Sequence, residues 1–380
     1  MNVAICIPCL LRGGTEMQSL YLARALVKAC HSVTVVCYFQ FNETVVEEFE
    51  LSGSRVVLMK LKRELGAARI TARLRHYFAE SRPDVVHVQY MAPGALPVLA
   101  ARLAGIRLVI ATVHQPYTSG HGIHAKILLR TAALLCNYFI AVSEVAENSW
   151  FGSTGFFPAE DKAKPSKHFT LHNTVDVSKV AALSSPEVKK TVSAATKLTA
   201  GFVFGYVGRL RHEKGVDILF EAFGRVYEKH GDIQLLVVGD GPDLAQLREK
   251  YRKSKWWKNI VFAGPQSWEN AMMHFSLMDM VVVPSRFEGF GLTAIEAMAS
   301  SRAVVASDTG GLKEVVEHEK SGLLFRTGDV HGLSEILSML IEQPDKLSRL
   351  SENAGKRARE FDITLYNEKV DRFYKILEHK

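Results

Sequence analysis

Val281-Val282-Val283-Pro284-Ser285-Arg286-Phe287-Glu288-Gly289-Phe290-Gly291-Leu292-Thr293-Ala294-Ile295-Glu296-Ala297-Met298-Ala299 reads as a strand, a glycine turn and a helix in direct succession. Val281 to Val283 is an unbroken β-branched run stopped by Pro284, as expected of a parallel strand buried on both faces. Gly289 and Gly291 let the chain reverse, and the apolar spacing from Leu292 onward suits a helix packed on that strand. First-turn backbone N–H groups near Phe290, Gly291 and Leu292 would lie at the positive end of the helix dipole, which favours an anion. Glu288 falls in the turn and Glu296 about one turn into the helix, so they are not expected to act as one carboxylate pair. Each can accept hydrogen bonds from adjacent hydroxyls of a ribose or a sugar ring. The plainer readings are helix-start electrostatics for Glu288 and a solvated helix face for Glu296.

Working outward, residues 202–206, 233–238, 260–262, 280–283 and 303–306 are short β-rich runs. Helical patterns near 217–229, 244–251 and 293–299 alternate with them. Such alternation gives βαβ units on a parallel sheet. The first half repeats the arrangement, with strands expected at 3–8, 33–38, 56–59, 85–89 and 108–113 and helices at 15–29 and 67–80. Between the halves the pattern dissolves at 151–167, resumes at 168–172 and fades again through 176–199. Two doubly wound α/β domains follow, with ligands expected beyond the carboxyl ends of the strands and a cleft between the facing loops. The boundaries are 1–178, a linker region at 179–200, 201–360, and a terminal helical segment at 361–380. Tyr366, Val370, Phe373 and Leu377 form an apolar stripe on that last helix.

A second turn follows the strand at 202–206: Gly208-Arg209-Leu210-Arg211-His212-Glu213-Lys214-Gly215. Glycine permits close backbone approach, Arg209 offers a planar fork of donors and Lys214 a point charge, a set that suits a diphosphate. A solvated basic loop is the plainer alternative.

The two acidic residues around Gly-Phe-Gly, together with this Gly-Arg-Leu…Glu-Lys-Gly turn, resemble the family 4 retaining glycosyltransferases of the GT-B fold (group 1 glycosyltransferases). Further stations match in order over nearly the whole chain: Gly13-Gly14-Thr15-Glu16, His114, Asn173…Asp176, Val238-Gly239-Asp240-Gly241-Pro242, and Thr309-Gly310-Gly311 with Glu314. The resemblance implies two Rossmann-like domains with a C-terminal helix crossing back to the first. It implies an EC 2.4 hexosyltransferase-type enzyme of polysaccharide biosynthesis. That enzyme would move a sugar, with retention and without a metal ion, from a UDP- or GDP-type donor to a glycan, lipid-linked or small-molecule hydroxyl. Arg209 and Lys214 would hold the diphosphate, Glu296 the ribose and Glu288 the transferred sugar. Backbone amides at Phe290, Gly291 and Leu292, with Gly14 of the first domain, would complete the phosphate site. His114 would lie near the reacting sugar and Gln266 against the base. Thr174 stands where the family has a glycine after the asparagine, which leaves the turn there in question. A nucleotide-sugar epimerase of similar fold and a non-catalytic nucleotide-sugar-binding subunit are the rival readings.

Composition agrees with a folded enzyme: 47% hydrophobic and 23% charged residues over 380 positions exclude a disordered chain. Residues 1–8 run into an apolar strand without a basic leader, and no apolar run approaches the roughly 20 residues of a membrane span, so a cytoplasmic protein is expected. Five cysteines, an odd number, do not make a disulfide framework, and Cys6 of the Cys6-x-x-Cys9 pair reads as a small buried hydrophobe. The net charge of +7 has its basic excess in the first half. Lys60, Lys62, Arg63, Arg69, Arg73 and Arg75 cluster around one helix. With Trp150-Phe151 and Phe156-Phe157 as inserting residues, this suggests peripheral attachment to an anionic inner membrane face or an anionic acceptor, the alternative being a solvated basic helix and a loop folded onto its own domain. No nucleic-acid recognition motif accompanies the charge.

Overall fold

The computed structural model describes residues 1–90, 95–158, 164–196 and 198–379. The chain divides into two compact units, Met1–Thr174 with Ile363–Lys380, and Val175–Asp362.

The first unit is built on a seven-stranded parallel sheet in the order β3-β2-β1-β4-β5-β6-β7. Its strands are β1 (Asn2–Ile7), β2 (Ser32–Cys37), β3 (Arg55–Leu58), β4 (Val85–Tyr90), β5 (Leu108–Val113), β6 (Tyr138–Ala141) and β7 (His168–Thr170). The order reverses between β1 and β4, where Val3 pairs with Val85. All six residues of β5 are buried, as a central parallel strand covered by helices on both faces requires. One face packs the helix Gly14–Lys28 and the last helix, Ile363–Glu378. Val370, Phe373, Tyr374 and Leu377 of that last helix join Ile5, Leu26, Tyr138 and Phe169 in a single core. The other face packs the helices Gly66–Ser81, Leu96–Leu103 and Gly122–Leu135 over Ala4, Val86 and Val109.

The second unit carries a six-stranded parallel sheet in the order β10-β9-β8-β11-β12-β13. These are β8 (Phe202–Val207), β9 (Ile233–Val238), β10 (Ile260–Gly264), β11 (Met280–Val283), β12 (Ala303–Ser307) and β13 (Gly322–Phe325). Here the order reverses between β8 and β11, where Met280 pairs with Phe204. Loops leaving the carboxyl ends of two strands that wind in opposite directions diverge, which opens a crevice at this point.

Three details differ from the sequence expectations. The polar stretch 179–200 is not a bare linker: the helices Val177–Leu183 and Pro186–Ala195 occupy most of it and belong to the second unit. Asp176 and Pro186 supply their starts, the first by accepting the Lys179 N–H at 2.9 Å. Thr174 needs no left-handed backbone, because Gln18 holds its amide and carbonyl at 2.9 and 2.8 Å as a neighbouring strand would. Trp150 is buried, with its indole N–H donated to the Gln115 carbonyl, and Phe151 stacks on His168 at 4.4 Å. Neither is an inserting residue, nor is Phe157, which is also buried. Phe156 alone of the four is exposed. The expected loop 151–167 falls partly on 159–163, outside the described residues.

Candidate active site

In the second unit, the crevice at the sheet reversal collects most of the sequence-selected residues. Gly208, Arg209 and Lys214 follow β8, and Pro284 to Gly291 follow β11. Two glycines allow these loops to lie backbone on backbone. Gly215 has φ 65°, and a Cβ there would stand 2.0 Å from the Pro284 carbonyl oxygen. Gly310 has φ 52°, and its Cβ would stand 1.8 Å from the carbonyl oxygen of Glu288. Any side chain at either position would push the Glu288 turn out of place.

The Glu213 carbonyl accepts the amides of Arg286 and Phe287 at 2.8 and 3.2 Å. Arg286 in turn makes a two-pronged pair with Asp217 at 2.7 Å on each side and donates to the His212 carbonyl at 2.9 Å. Burial raises the Asp217 carboxyl, but the bonds and charge of Arg286 outweigh it and hold the group below its usual value. The two loops are therefore clamped together before any ligand arrives.

On this clamp Lys214 Nζ reaches Glu288 Oε2 at 2.8 Å, and Ser285 donates to the same oxygen at 3.2 Å. Arg209 is exposed, and its carbonyl accepts the Tyr206 hydroxyl at 2.7 Å. Burial, followed by the charges of Glu288, Glu213 and Asp243, pushes the Tyr206 phenol well up, so it remains a donor. Gly291, at φ 111°, precedes the helix Leu292–Ala299, which has no side-chain cap. Its first N–H groups, Leu292 and Thr293, have no carbonyl one turn back within the helix to bond. Phe290 is buried against Phe361 at 5.6 Å and fixes the turn from beneath.

Glu296 lies further along that helix and takes a different partner: Trp268 Nε1 donates to its Oε1 at 2.9 Å. Burial pushes this carboxyl up to about 7 against the lowering effect of the Trp268 bond. Glu288 and Glu296 thus share no hydrogen-bond partner. Gln266 sits in the turn after β10 with its amide donated to the Ala263 carbonyl at 2.7 Å.

In the first unit, Gly14 opens the helix Gly14–Lys28 directly after β1, with Gly13 as an uncapped N-terminal residue. His114 follows β5. Its Nε2 pairs with Gln89 Oε1 at 2.8 Å, and its Nδ1 and the Gln89 amide nitrogen are buried without a hydrogen-bond partner. Burial lowers the His114 imidazole to about 4, so it is neutral near pH 7. Beneath it His87, also lowered by burial, bridges Tyr374 and Thr112 at 2.9 and 2.8 Å.

Residues 189–357 match the family described as Glycosyl transferases group 1, and residues 12–161 match Glycosyltransferase Family 4. The chain belongs to the family 4, group 1 glycosyltransferases. It is 27% identical over 286 residues to the N-acetyl-alpha-D-glucosaminyl L-malate synthase of Bacillus anthracis, an alignment covering 73% of this chain and 69% of that enzyme. It is 24% identical over 344 residues to a GDP-mannose-dependent phosphatidylinositol monomannoside mannosyltransferase of Mycobacterium tuberculosis, covering 88% and 87% of the two chains. Among solved structures, Anabaena Alr3699/HepE in complex with UDP superposes with a TM-score of 0.82 at 20% identity, over 99% of this chain and 100% of that one. Its GT-B architecture is the one described above.

This glycosyltransferase also uses residues that sequence reading passed over. Trp268, Ser285 and the Arg286–Asp217 pair position the selected side chains, and Gln89 orients His114. Ser285 and Arg286 stand inside the quoted stretch and could have been weighed there. Trp268 and Gln89 carry no local signal, because their roles arise from pairings across loops. No group of three His, Cys, Asp or Glu side chains suited to a metal ion is present among the described residues. The cysteines are free, and burial pushes the Cys6 thiol up to about 12, which fits an inert core residue.

Proposed function

We propose that this glycosyltransferase transfers a hexose-type sugar, with retention, from a UDP- or GDP-sugar to a hydroxyl of a glycan, glycolipid or small molecule, without a metal ion. The observation that carries the reading is the clamped pair Lys214–Glu288 at 2.8 Å, held on two loops at the sheet reversal. A cation and a carboxylate fixed side by side suit a donor whose diphosphate and sugar are adjacent. Arg209 and Lys214 neutralise the diphosphate, and the amides at Phe290, Gly291 and Leu292 add dipoles to it. Such charge stabilisation of a departing nucleoside diphosphate does the work that a divalent cation does in other transferases. Glu296 accepts the ribose hydroxyls, Gln266 faces the base, and Glu288 faces the sugar as positive charge develops at its anomeric carbon.

His114, neutral, offers one ring nitrogen to a sugar hydroxyl while Gln89 occupies the other. Retention follows from attack on the face the phosphate leaves, with the departing phosphate oxygen taking the acceptor proton. The donors named for the relatives, UDP or UDP-glucose for the Anabaena structures and GDP-mannose for the mycobacterial enzyme, define the panel to screen. The reading includes a cytoplasmic protein with peripheral attachment to an anionic membrane surface. No helix of the described residues is long and apolar enough to cross a membrane.

The test is incubation with UDP-glucose, UDP-N-acetylglucosamine and GDP-mannose, with and without acceptor hydroxyls, in the presence of a chelator. Release of nucleoside diphosphate and an α-linked product from an α-linked donor supports the reading. Conversion of the donor sugar without release of nucleotide would assign an isomerase instead.

A further inference from the structure

The helix Gly122–Leu135 presents large apolar side chains outward. Ile123, Ile127, Leu128 and Leu134 are 59%, 55%, 52% and 73% exposed. At 100° per residue, Ile123, Ile127 and Leu134 lie within about 40° of one another on the helix circumference. Leu129, Ala132 and Ala133 point the other way into the core, so the helix is apolar on both its buried and its outer side. The adjoining helix Leu96–Leu103 adds Leu99 and Leu103, 38% and 54% exposed. Isolated exposed apolar residues are ordinary, but a contiguous stripe of this kind marks a contact surface.

Charge decides what it contacts. Between Asp84 and Glu144 the chain contains no acidic residue, so neither helix carries a negative group. Lys126 and Arg130 border the stripe. Their partners are neutral, the Tyr117 ring at 4.8 Å and the Trp150 carbonyl at 2.7 Å, so their charges are uncompensated there. Lys167 donates to the Leu134 carbonyl at 3.1 Å and adds a cation at the helix end. Further along the same face of the sheet, Arg69, Arg73 and Arg75 are exposed on the helix Gly66–Ser81. An apolar stripe edged by cations and free of carboxylates complements an anionic lipid headgroup layer over acyl chains.

We infer that the outer face of the helix Gly122–Leu135 is the surface by which the first unit lies on an anionic bilayer. Ile123, Ile127 and Leu134 enter the acyl boundary, and Lys126 and Arg130 sit among the phosphates. The inference deepens the peripheral attachment proposed above and replaces Trp150 and Phe151 with residues that are free to insert.

The test is co-flotation with vesicles of phosphatidylcholine and phosphatidylglycerol in equal parts, against pure phosphatidylcholine, alongside UDP or GDP titration in solution. The double variant Ile127→Glu/Leu134→Glu alters exposed side chains only. The wild type should float with the anionic vesicles and release at high salt. The variant should bind them at least about tenfold more weakly, with unchanged nucleotide affinity and melting temperature. Equal flotation of wild type and variant overturns the inference, as does a wild-type dimer in solution that the variant converts to monomer without loss of vesicle binding. Vesicle binding without nucleotide binding would leave the surface standing and remove the donor-site reading.

Discussion

Trp268 holds the Glu296 carboxylate through a 2.9 Å indole N–H bond, so the group assigned to the ribose is already oriented in the free protein. The same carboxyl is raised by burial to about 7, which makes its ionisation a matter of ordinary working pH.

A ribose diol donates to the ionised carboxylate, so binding below the raised value must first remove a proton. Nucleoside diphosphate affinity should therefore rise by roughly tenfold between about pH 6 and about pH 8, read by calorimetric titration. Glu296→Gln should bind weakly and without this pH dependence. For folding the sign is opposite: a carboxyl raised in the folded state favours folding while protonated, and that contribution fades as pH climbs from 4.5 through about 7. The Gln variant should accordingly lose less melting temperature over that window than the wild type.

Trp268→Phe keeps the ring and deletes the donor. The bond favours the ionised carboxylate that the ribose needs, by about 1.5 to 3 kcal/mol for a charged partner, so its loss should weaken nucleotide binding by roughly tenfold or more below the binding midpoint. It should also move the pH midpoint of binding upward, because the bond favours the ionised form. An unchanged midpoint would mean that the indole does not act through Glu296.

Arg209→Ala and Lys214→Ala should each lower turnover by an amount equivalent to about 2 to 4 kcal/mol while the protein stays folded. Glu288→Gln should lower turnover with near-normal nucleoside diphosphate affinity, since that ligand lacks the sugar. Titration and steady-state kinetics on the three variants check this, and weakened nucleotide binding by Glu288→Gln would reverse the sugar and ribose assignments.

His114 is lowered by burial to about 4, so the pH–rate profile should show no limb from it near the usual histidine value. Gln89→Leu leaves the His114 ring without its 2.8 Å partner. Turnover should fall by about tenfold with nucleotide affinity unchanged. Gln89→Glu would charge the imidazole and bring a histidine limb into the accessible pH range.

The strand-turn-helix character of 281–299 was legible because each step has a local cause: β-branched residues, a proline stop, two glycines, then helical spacing. The strands Tyr138–Ala141 and Gly322–Phe325 were not, because a four-residue run without a stop such as Pro284 directly behind it gives too short a pattern to separate from its surroundings. Of the site, charges and glycines were visible and their supports were not. Nothing in Trp268 or Gln89 announces a partner 28 or 25 residues away. The exposed stripe on Gly122–Leu135 was hidden for a related reason: an apolar helix reads as core until neighbours are known, and only the fold shows which side they occupy.

Because the helix Ile363–Glu378 supplies Val370, Phe373, Tyr374 and Leu377 to the core of the first unit, a sheet whose strands all precede Val175 is completed by residues synthesised after the whole of the second unit. While Val175–Asp362 is being made, His87 lacks Tyr374, and one face of the nascent sheet has the helix Gly14–Lys28 over it but not yet Ile363–Glu378. The second unit, whose strands are contiguous in sequence, has every element it needs before that. That unit is set to finish folding first, and the first unit must wait for its closing helix.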